Sequence, residues 1–436
     1  MRFYNRKTEL QVLSDIRKMS EKTSHITAII GRRRIGKTRL ILKSLENENF
    51  LYFFIARKNE KLLCNEFIEE VKNKLNIPVF GEISKFKDLF ALLLETSKTR
   101  PFSLVIDEFQ EFNQVNPAVY SEMQNIWDRN KDESNMNLIL SGSIYSLMKK
   151  IFENSKEPLF GRLNERIYLK PFNVSSLEEI LKEGNSKFTK KDMLSFYTVT
   201  GGVAKYVELF ADKNILDHDS IINEVFRENS YFLDEGKNIL IEEFGKEYST
   251  YFSILSLIAS SKTSRTDIES ILEKNVGGHL DRLEKEYSII KKVKPLFAKE
   301  GSRTVKYLID DNFLNFWFRF MYKYRSAIEI GNFDYVKNIV KRDFSIYSGR
   351  YLEKYFIEKL KLTKKYSLIG NYWEKGNFNE IDIVAVDEIN KKVLFVEVKL
   401  NKDKISIPKL KEKSKKLLNK FHNHSIEYKG YSVEDM

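Results

Sequence analysis

Three short stretches of the chain carry residues whose types and spacing can do chemistry. "GRRRIGKT" sets Gly31, Gly36, Lys37 and Thr38 in the pattern G-x-x-x-x-G-K-[ST], after an apolar run at 26–30 and before a helical pattern. The glycines let successive backbone N–H groups wrap phosphate oxygens. Lys37 then reaches the outer phosphates and Thr38 offers its hydroxyl to Mg2+. The expected ligand is ATP. "DEFQ" ends a second apolar run, 102–106, with Asp107 and Glu108. At such a place Asp107 holds Mg2+ through water and Glu108 orients the attacking water. An acidic loop after a strand is common by itself, but beside a phosphate loop the catalytic meaning prevails. No D-x-x-G is found here, which argues against a GTPase.

The third stretch, "EIDIVAVDEINKKVLFVEVKL" at 380–400, reads as two apolar strands around a polar turn. Asp382, Glu397 and Lys399 sit inside those runs, where Val or Ile would pack better. Buried charges are costly unless paired or metal-bound. With the turn centred between Ile389 and Asn390, an antiparallel hairpin sets Asp382 opposite Glu397. Their Cβ atoms are then about 5 Å apart, and like charges there repel. A divalent cation, Mg2+ or Mn2+, removes that penalty. Lys399 follows Glu397 by two residues and shares its face. Two carboxylates for a metal and one lysine for the nucleophile or the transition-state charge suit phosphodiester hydrolysis.

These groups need a scaffold. Through the first half, apolar strands alternate with helical patterns, which predicts an α/β fold with a parallel, doubly wound sheet. Loops at the C-terminal strand edges then carry the chemistry. "NMNLILSGS" is such a strand, and Ser141 at its end is the expected γ-phosphate sensor, with a plain Ser-rich turn through Ser143 as the alternative. "PLFGR" offers Arg162 as an arginine finger or sensor, from the same or a neighbouring subunit. A homo-oligomer is expected in the second case, and a surface arginine is the alternative.

Further on, 189–223 is helical and interrupted by Gly201-Gly202, as in a lid. Three amphipathic helices and a hairpin with Lys291, Lys292, Lys294, Lys299, Arg303 and Lys306 read as a winged helix. DNA contact and domain packing both remain open there. The third helix sets Arg282 and Lys285 against Asp281, Glu284 and Glu286, which makes it a poor base reader. Near the tail, Glu353 falls on a helical pattern and by itself reads as a solvated helix residue. Trp373 reads as a packing residue. "NKDKISIPKLKEKSKKLLNKF" is a basic helix that holds a phosphate backbone or merely faces water.

The 436 residues predict two to four domains. A formal net charge of +12 with 31% charged residues points to an anionic partner, nucleic acid and DNA first, against a merely Lys-rich surface. Cys64 is the single cysteine, which excludes a disulfide framework and a Cys-rich zinc site and fits a reducing cytoplasm. The N-terminus is charged and unlike a signal peptide, and no run of apolar residues is long enough to span a membrane.

Together, "FYNRKTELQVL", "GRRRIGKT", "DEFQ", "PLFGR", "TGGVAKYVELF" and "YLIDDNFLNFWFRF" resemble the archaeal-type ATPases of the AAA-like/STAND grouping, nearly end to end. The resemblance implies an ATPase core, a helical lid, a winged helix and a C-terminal domain of restriction-endonuclease-like fold. The D…E-x-K spacing is similar to that of the PD-(D/E)xK nucleases, which place a further acid where Glu353 stands. Members often carry Pro after the double glycine, where this chain has Val203-Ala204. The expected boundaries are 1–175 for the P-loop ATPase core, 176–240 for the lid, 241–325 for the winged helix and 326–436 for the nuclease-like domain. The expected function is an ATP-hydrolysing protein controlling a metal-dependent nuclease. A switch ATPase with an inert nuclease-fold tail that binds DNA or protein is the first alternative. A DNA-binding regulator that uses only the winged helix is the second.

Overall fold

The computed structural model describes residues 3–79, 81–244, 248–299, 301, 302 and 304–436, so Arg303 lies outside the described residues. The chain divides into two compact units, Asn5–Lys170 and, with the N-terminal residues, Pro171–Met436.

The first unit holds five strands: β1 (His25–Ile30), β2 (Phe50–Phe54), β3 (Phe102–Asp107), β4 (Met136–Gly142) and β5 (Glu165–Tyr168). They run in the order β2-β3-β4-β1-β5, and every neighbouring pair is parallel. β1, β3 and β4 are buried at every position, which is why they read as apolar runs without alternation. Parallel neighbours require crossovers, here helices such as Lys37–Ser44 and Glu60–Leu75. One face of the sheet packs Phe53 on Phe67, with ring centroids 4.2 Å apart, in a core that includes Phe86, Phe90 and Phe112. The strand order puts the C-terminal ends of β1, β4 and β3 side by side. The loops after them carry Gly31–Thr38, Ser143 and Asp107-Glu108 to one edge.

In the second unit a large hydrophobic core runs from Phe172 through Leu280 to Met436, and a smaller one joins Ile381, Val384, Phe395, Leu410 and Phe421. The segments 176–240, 241–325 and 326–436 all contribute to the larger core, and 326–436 has the smaller one besides. The cause is the helix Phe333–Leu362, 30 residues long, which packs against the lid as well as the C-terminal sheet. Tyr355 meets Tyr197 edge-on with centroids 6.0 Å apart, and the Glu358 carboxylate accepts from Val174 N–H and the Tyr197 hydroxyl, both at 3.0 Å.

The segment expected to form a lid holds helices Lys190–Thr200, Ala204–Asp212 and His218–Val225. Gly201 and Gly202 turn the chain with φ of +56° and +77°. A Cβ on Gly202 would lie 2.1 Å from the Phe172 carbonyl oxygen, so only glycine fits. Val203 N–H donates to Thr200 O at 3.0 Å, a bond that a proline at this position could not make.

Helices Tyr248–Ala259, Arg265–Leu272 and Gly277–Lys285 follow, then the antiparallel pair β6 (Ile290–Val293) and β7 (Lys306–Ile309). After the long helix come β8 (Leu368–Tyr372), β9 (Ile381–Asp387), β10 (Lys392–Val398), the helix Ile407–Leu418 and β11 (Ser425–Tyr431). The sheet order is β11-β10-β9-β8, antiparallel from β8 to β10 and parallel between β10 and β11. Val393 pairs with Val386 and Val396 with Ile383, the register expected from the sequence. Among the described residues no helix is long and apolar enough to cross a membrane.

Candidate functional site

Two centres stand out, one in each unit. In the first, β1 ends at Ile30 and the loop turns back into the helix Lys37–Ser44 through Gly36, whose φ is +92°. A Cβ added at Gly31 would fit tightly, 3.0 Å from the Leu169 carbonyl oxygen and 3.2 Å from Ile35 Cγ2. The Lys37 ammonium is nearly buried and donates to the carbonyls of Gly31 at 2.8 Å and Arg32 at 3.0 Å. It is thereby folded over its own loop, where phosphate oxygens would compete for the same donors.

Thr38 Oγ1 donates to Asp107 Oδ2 at 3.1 Å, and the Tyr52 hydroxyl donates to the same oxygen. Burial, and then this bond, push the Tyr52 phenol above its ordinary pKa, so it remains a donor. Thr38 and Asp107 supply a hydroxyl and a carboxylate side by side, a hard oxygen set that fits Mg2+ with water filling the remaining positions. Glu108 has a left-handed backbone, φ +54°. Its Oε2 accepts from Ser143 Oγ at 2.6 Å, Ser143 N–H at 3.3 Å and Gln110 Nε2 at 2.5 Å. Three donors on one oxygen fix the carboxylate at the strand edge.

Ser141 takes no part in this. It is buried within β4, and its hydroxyl finds no hydrogen-bond partner among the described residues. The hydroxyl that reaches Glu108 belongs to Ser143, just past the strand end. Ser143→Ala is accordingly expected to lower kcat for ATP about three- to tenfold, from the loss of one bond to a charged group, with KM nearly unchanged. Ser143→Thr should restore the rate. Steady-state phosphate release measures both. Arg162 is about a third exposed and pairs with Asp128 at 3.0 Å, while its other terminal nitrogen donates to Phe160 O at 2.7 Å. It is thus held at the surface on the turn made by Gly161, φ +74°.

The second centre lies where β9 begins and β10 ends. One step beyond the Val396–Ile383 pair, the same register brings Glu397 opposite Asp382. Lys399 Nζ is 3.1 Å from Asp382 Oδ2 and 3.8 Å from Glu397 Oε1, so the three side chains converge. Asp382 Oδ2 also accepts from Val398 N–H at 2.7 Å. Glu397 Oε2 accepts from Ser406 N–H at 2.7 Å, at the start of the helix Ile407–Leu418, and its Oε1 lies 3.4 Å from Lys413 Nζ. Glu353 on the long helix is half-buried. Burial, and then the charges of Asp382 and Glu380, hold its carboxyl well above the usual carboxylate range. Among the described residues no three His, Cys, Asp or Glu side chains form a ready metal site. The Asp382–Glu397 pair nevertheless already focuses two hard carboxylates on one cation, the Lys399 ammonium, and that donor chemistry suits Mg2+ or Mn2+ with water completing the shell.

The hairpin cations do not act alike. Lys291 pairs with Asp310 at 3.0 Å. Lys306 pairs with Glu380 at 2.9 Å and lies 4.5 Å over the ring of buried Trp373. Lys292, Lys294 and Lys299 are exposed. Tyr52, Gln110 and Lys413 were not singled out in the sequence; the only sign of Tyr52 there is a hydroxyl inside the apolar run "FLYFF".

Residues 3–210 match the model of an ATPase domain predominantly from Archaea, and residues 317–426 match a family described as archaeal and bacterial proteins of unknown function. The chain is 30% identical over 407 residues to the uncharacterized protein MJECL04 of Methanocaldococcus jannaschii, covering 91% of this chain and 87% of that protein. A shorter stretch of 46 residues is 50% identical to the uncharacterized ATP-binding protein MJ0423 of the same organism, 11% of this chain and 75% of that one. Among solved structures, the Walker-type ATPase PABY2304 of Pyrococcus abyssi shares the fold, with a TM-score of 0.56 at 17% identity over 73% of this chain and 96% of the other. With its phosphate loop, its strand order and a relative matched over most of both lengths, the chain belongs to the family of P-loop ATPases found mainly in Archaea.

Proposed function

We propose that the chain is an ATPase whose nucleotide cycle controls a metal-dependent nuclease centre acting on nucleic acid, DNA first. The observation that carries the second half is the convergence of Asp382, Glu397 and Lys399 at one strand end. In this reading Gly31, Gly36 and Lys37 hold the ATP phosphates, Thr38 and Asp107 hold Mg2+, and Glu108 orients the attacking water under the hand of Ser143. Ser141 is left as a buried strand residue. Arg162, kept at the surface by Asp128, acts on a neighbouring subunit's nucleotide in a homo-oligomer. Asp382 and Glu397 hold Mg2+ or Mn2+, which activates water and neutralises charge on the phosphodiester. Lys399 faces the nucleophile or the transition-state charge, and Glu353 is a protonated neighbour of the pair. The three helices with β6 and β7 are a winged helix by element order, and the elements from the long helix to β11 follow the order of a restriction-endonuclease-like core.

A second reading has its own observation. Asp382 and Glu397 are already satisfied by Lys399, Lys413 and two backbone N–H groups. An inert tail that uses them as a structural ion cluster would look the same. Labelled DNA and RNA incubated with Mg2+ or Mn2+, in ATP, ADP or no nucleotide, separate the two. Wild type should cleave in a nucleotide-dependent way, Asp382→Asn should not cleave but should still hydrolyse ATP, and Lys37→Ala should cleave without responding to nucleotide. No cleavage by wild type under any condition leaves the inert-tail reading in possession. Cleavage equal in all three nucleotide states removes the control and keeps the nuclease.

A further inference from the structure

The basic hairpin and the lysine-rich helix Ile407–Leu418 lie far apart in the sequence but form one surface in the folded chain. The hairpin loop is not a free wing. Leu296 N–H donates to Asn371 O on the edge strand β8 at 2.9 Å, and the Phe297 ring packs edge-on against Phe421 with centroids 5.5 Å apart. Lys420 Nζ sits 5.9 Å over the same Phe297 ring. The loop is therefore docked at the C-terminal end of the basic helix.

The opposite end of that helix begins at the Asp382 centre. Lys409, Lys413, Lys416 and Lys420 recur at helical spacing along one edge. Their contacts trace its path: Lys413 to Glu397 at 3.4 Å, Lys416 to Glu374 at 2.6 Å, Lys420 to Phe297. Lys294 and Lys299 flank the docked Leu296 and Phe297 and are exposed, as are Lys409 and Lys420. Glu374, met along this edge, is paired with Lys416, and Glu412 is the one acid of the helix itself, against Lys409, Lys411, Lys413, Lys415 and Lys416. The third helix of the three-helix segment has no such bias. Over Gly277–Lys285 and the next residue it sets three acids, Asp281, Glu284 and Glu286, against Arg282 and Lys285. Lys285 lies 3.9 Å from Asp281 and Arg282 donates to the Tyr251 hydroxyl at 3.4 Å.

We infer that a nucleic-acid backbone lies along this single face, from the hairpin loop down the edge of the helix Ile407–Leu418 to the Asp382 end, and not against the third helix. The ligand chemistry is a run of phosphodiesters, held by ammonium groups at successive helical turns without base reading. The location gains its purpose from the nuclease reading, but the binding is measured apart from cleavage.

The test is fluorescence anisotropy with a short labelled DNA duplex, its single strand and the matching RNA, over a series of KCl concentrations in EDTA. Each phosphate contact adds about 0.9 to the slope of log affinity against log salt for duplex DNA and about 0.7 for single strands. The variant Lys294→Gln/Lys299→Gln/Lys409→Gln/Lys420→Gln should flatten the duplex slope by roughly 3 to 4, with unchanged ATP turnover as the sign of an intact fold. If that variant is poorly folded, the two double variants, Lys294/Lys299 and Lys409/Lys420, should each give about half the change. Arg282→Gln/Lys285→Gln should leave the slope as it is. The ranking of the three probes tells which nucleic acid the face prefers. An unchanged slope in the lysine variants, loss of binding in the Arg282/Lys285 variant instead, or no salt-sensitive binding by wild type to any probe overturns the inference. Binding with the expected slopes but without cleavage removes the nuclease reading and leaves the face standing.

Discussion

Glu108→Gln is expected to bind ATP about as tightly as the wild type and to turn it over roughly 10²- to 10⁴-fold more slowly, the range for loss of a positioned general base. The geometry makes this substitution informative. Ser143 Oγ, Ser143 N–H and Gln110 Nε2 all donate to Glu108 Oε2. A glutamine side-chain oxygen accepts the same bonds, so the position holds while the basic carboxylate is lost. In the proposed reading nucleotide affinity resides elsewhere, in the loop N–H groups and Lys37. Lys37→Ala should accordingly weaken binding by about one to two orders of magnitude, from one or more lost bonds to charged oxygens. Its own ammonium is now bonded to the Gly31 and Arg32 carbonyls at 2.8 and 3.0 Å, so the deletion also loosens the loop. A fluorescent ATP analogue gives the affinity, and phosphate release gives the rate. Two variants that both turn over at the wild-type rate would show that hydrolysis occurs somewhere else in the chain.

The parts that were legible in the sequence are the ones whose physics is local. The phosphate loop is a single strand–turn–helix, and its glycines and lysine are fixed by what a phosphate needs from eight consecutive residues. The β9–β10 register follows from period-two alternation around one short turn, which is why the sequence alone sets Asp382 against Glu397. Strand ends are less sharply encoded. The sequence "LSGS" contains two serines near the end of β4, and only the folded sheet decides that Ser143 and not Ser141 meets Glu108. Partners brought together across the sheet were invisible. Tyr52 reaches Asp107 from the neighbouring strand β2, and nothing in "FLYFF" announces that pairing. Lys306 reads as one more hairpin cation until it is found on Glu380 and Trp373. The shared core of the second unit was hidden for a related reason. Apolar residues are spread almost evenly around the helix Phe333–Leu362, with Ile346 exposed and Tyr347, Tyr351 and Tyr355 buried, so the sequence marks neither its buried face nor the elements that cover it.

Lys399→Met is expected to lower the unfolding temperature in metal-free buffer, and Mn2+ or Mg2+ is expected to return part of the loss. The Lys399 ammonium is the cation that Asp382 and Glu397 share, at 3.1 and 3.8 Å. Removing it leaves two carboxylates facing each other across the strand pair with little water. Breaking a fully buried pair costs roughly 3–5 kcal/mol. The cost here is smaller, because the Lys399 side chain is 35% exposed and Glu397 keeps Lys413. A divalent ion then has more to gain in the variant than in the wild type. Saturation at about 100 times its dissociation constant stabilises the folded state by about 2.7 kcal/mol. The wild type should respond less, since the ammonium competes for the same carboxylates. In Asp382→Asn/Lys399→Met the response should vanish, because one of the two ligands is gone while the repulsion is relieved. This comparison needs neither substrate nor activity, so it separates a metal centre from an ion cluster that merely closes the sheet. In the ion-cluster case, Lys399→Met is destabilised to the same degree with and without divalent ions. A flat metal response across wild type, single and double variants would therefore sink the metal assignment, whatever the ATPase half does.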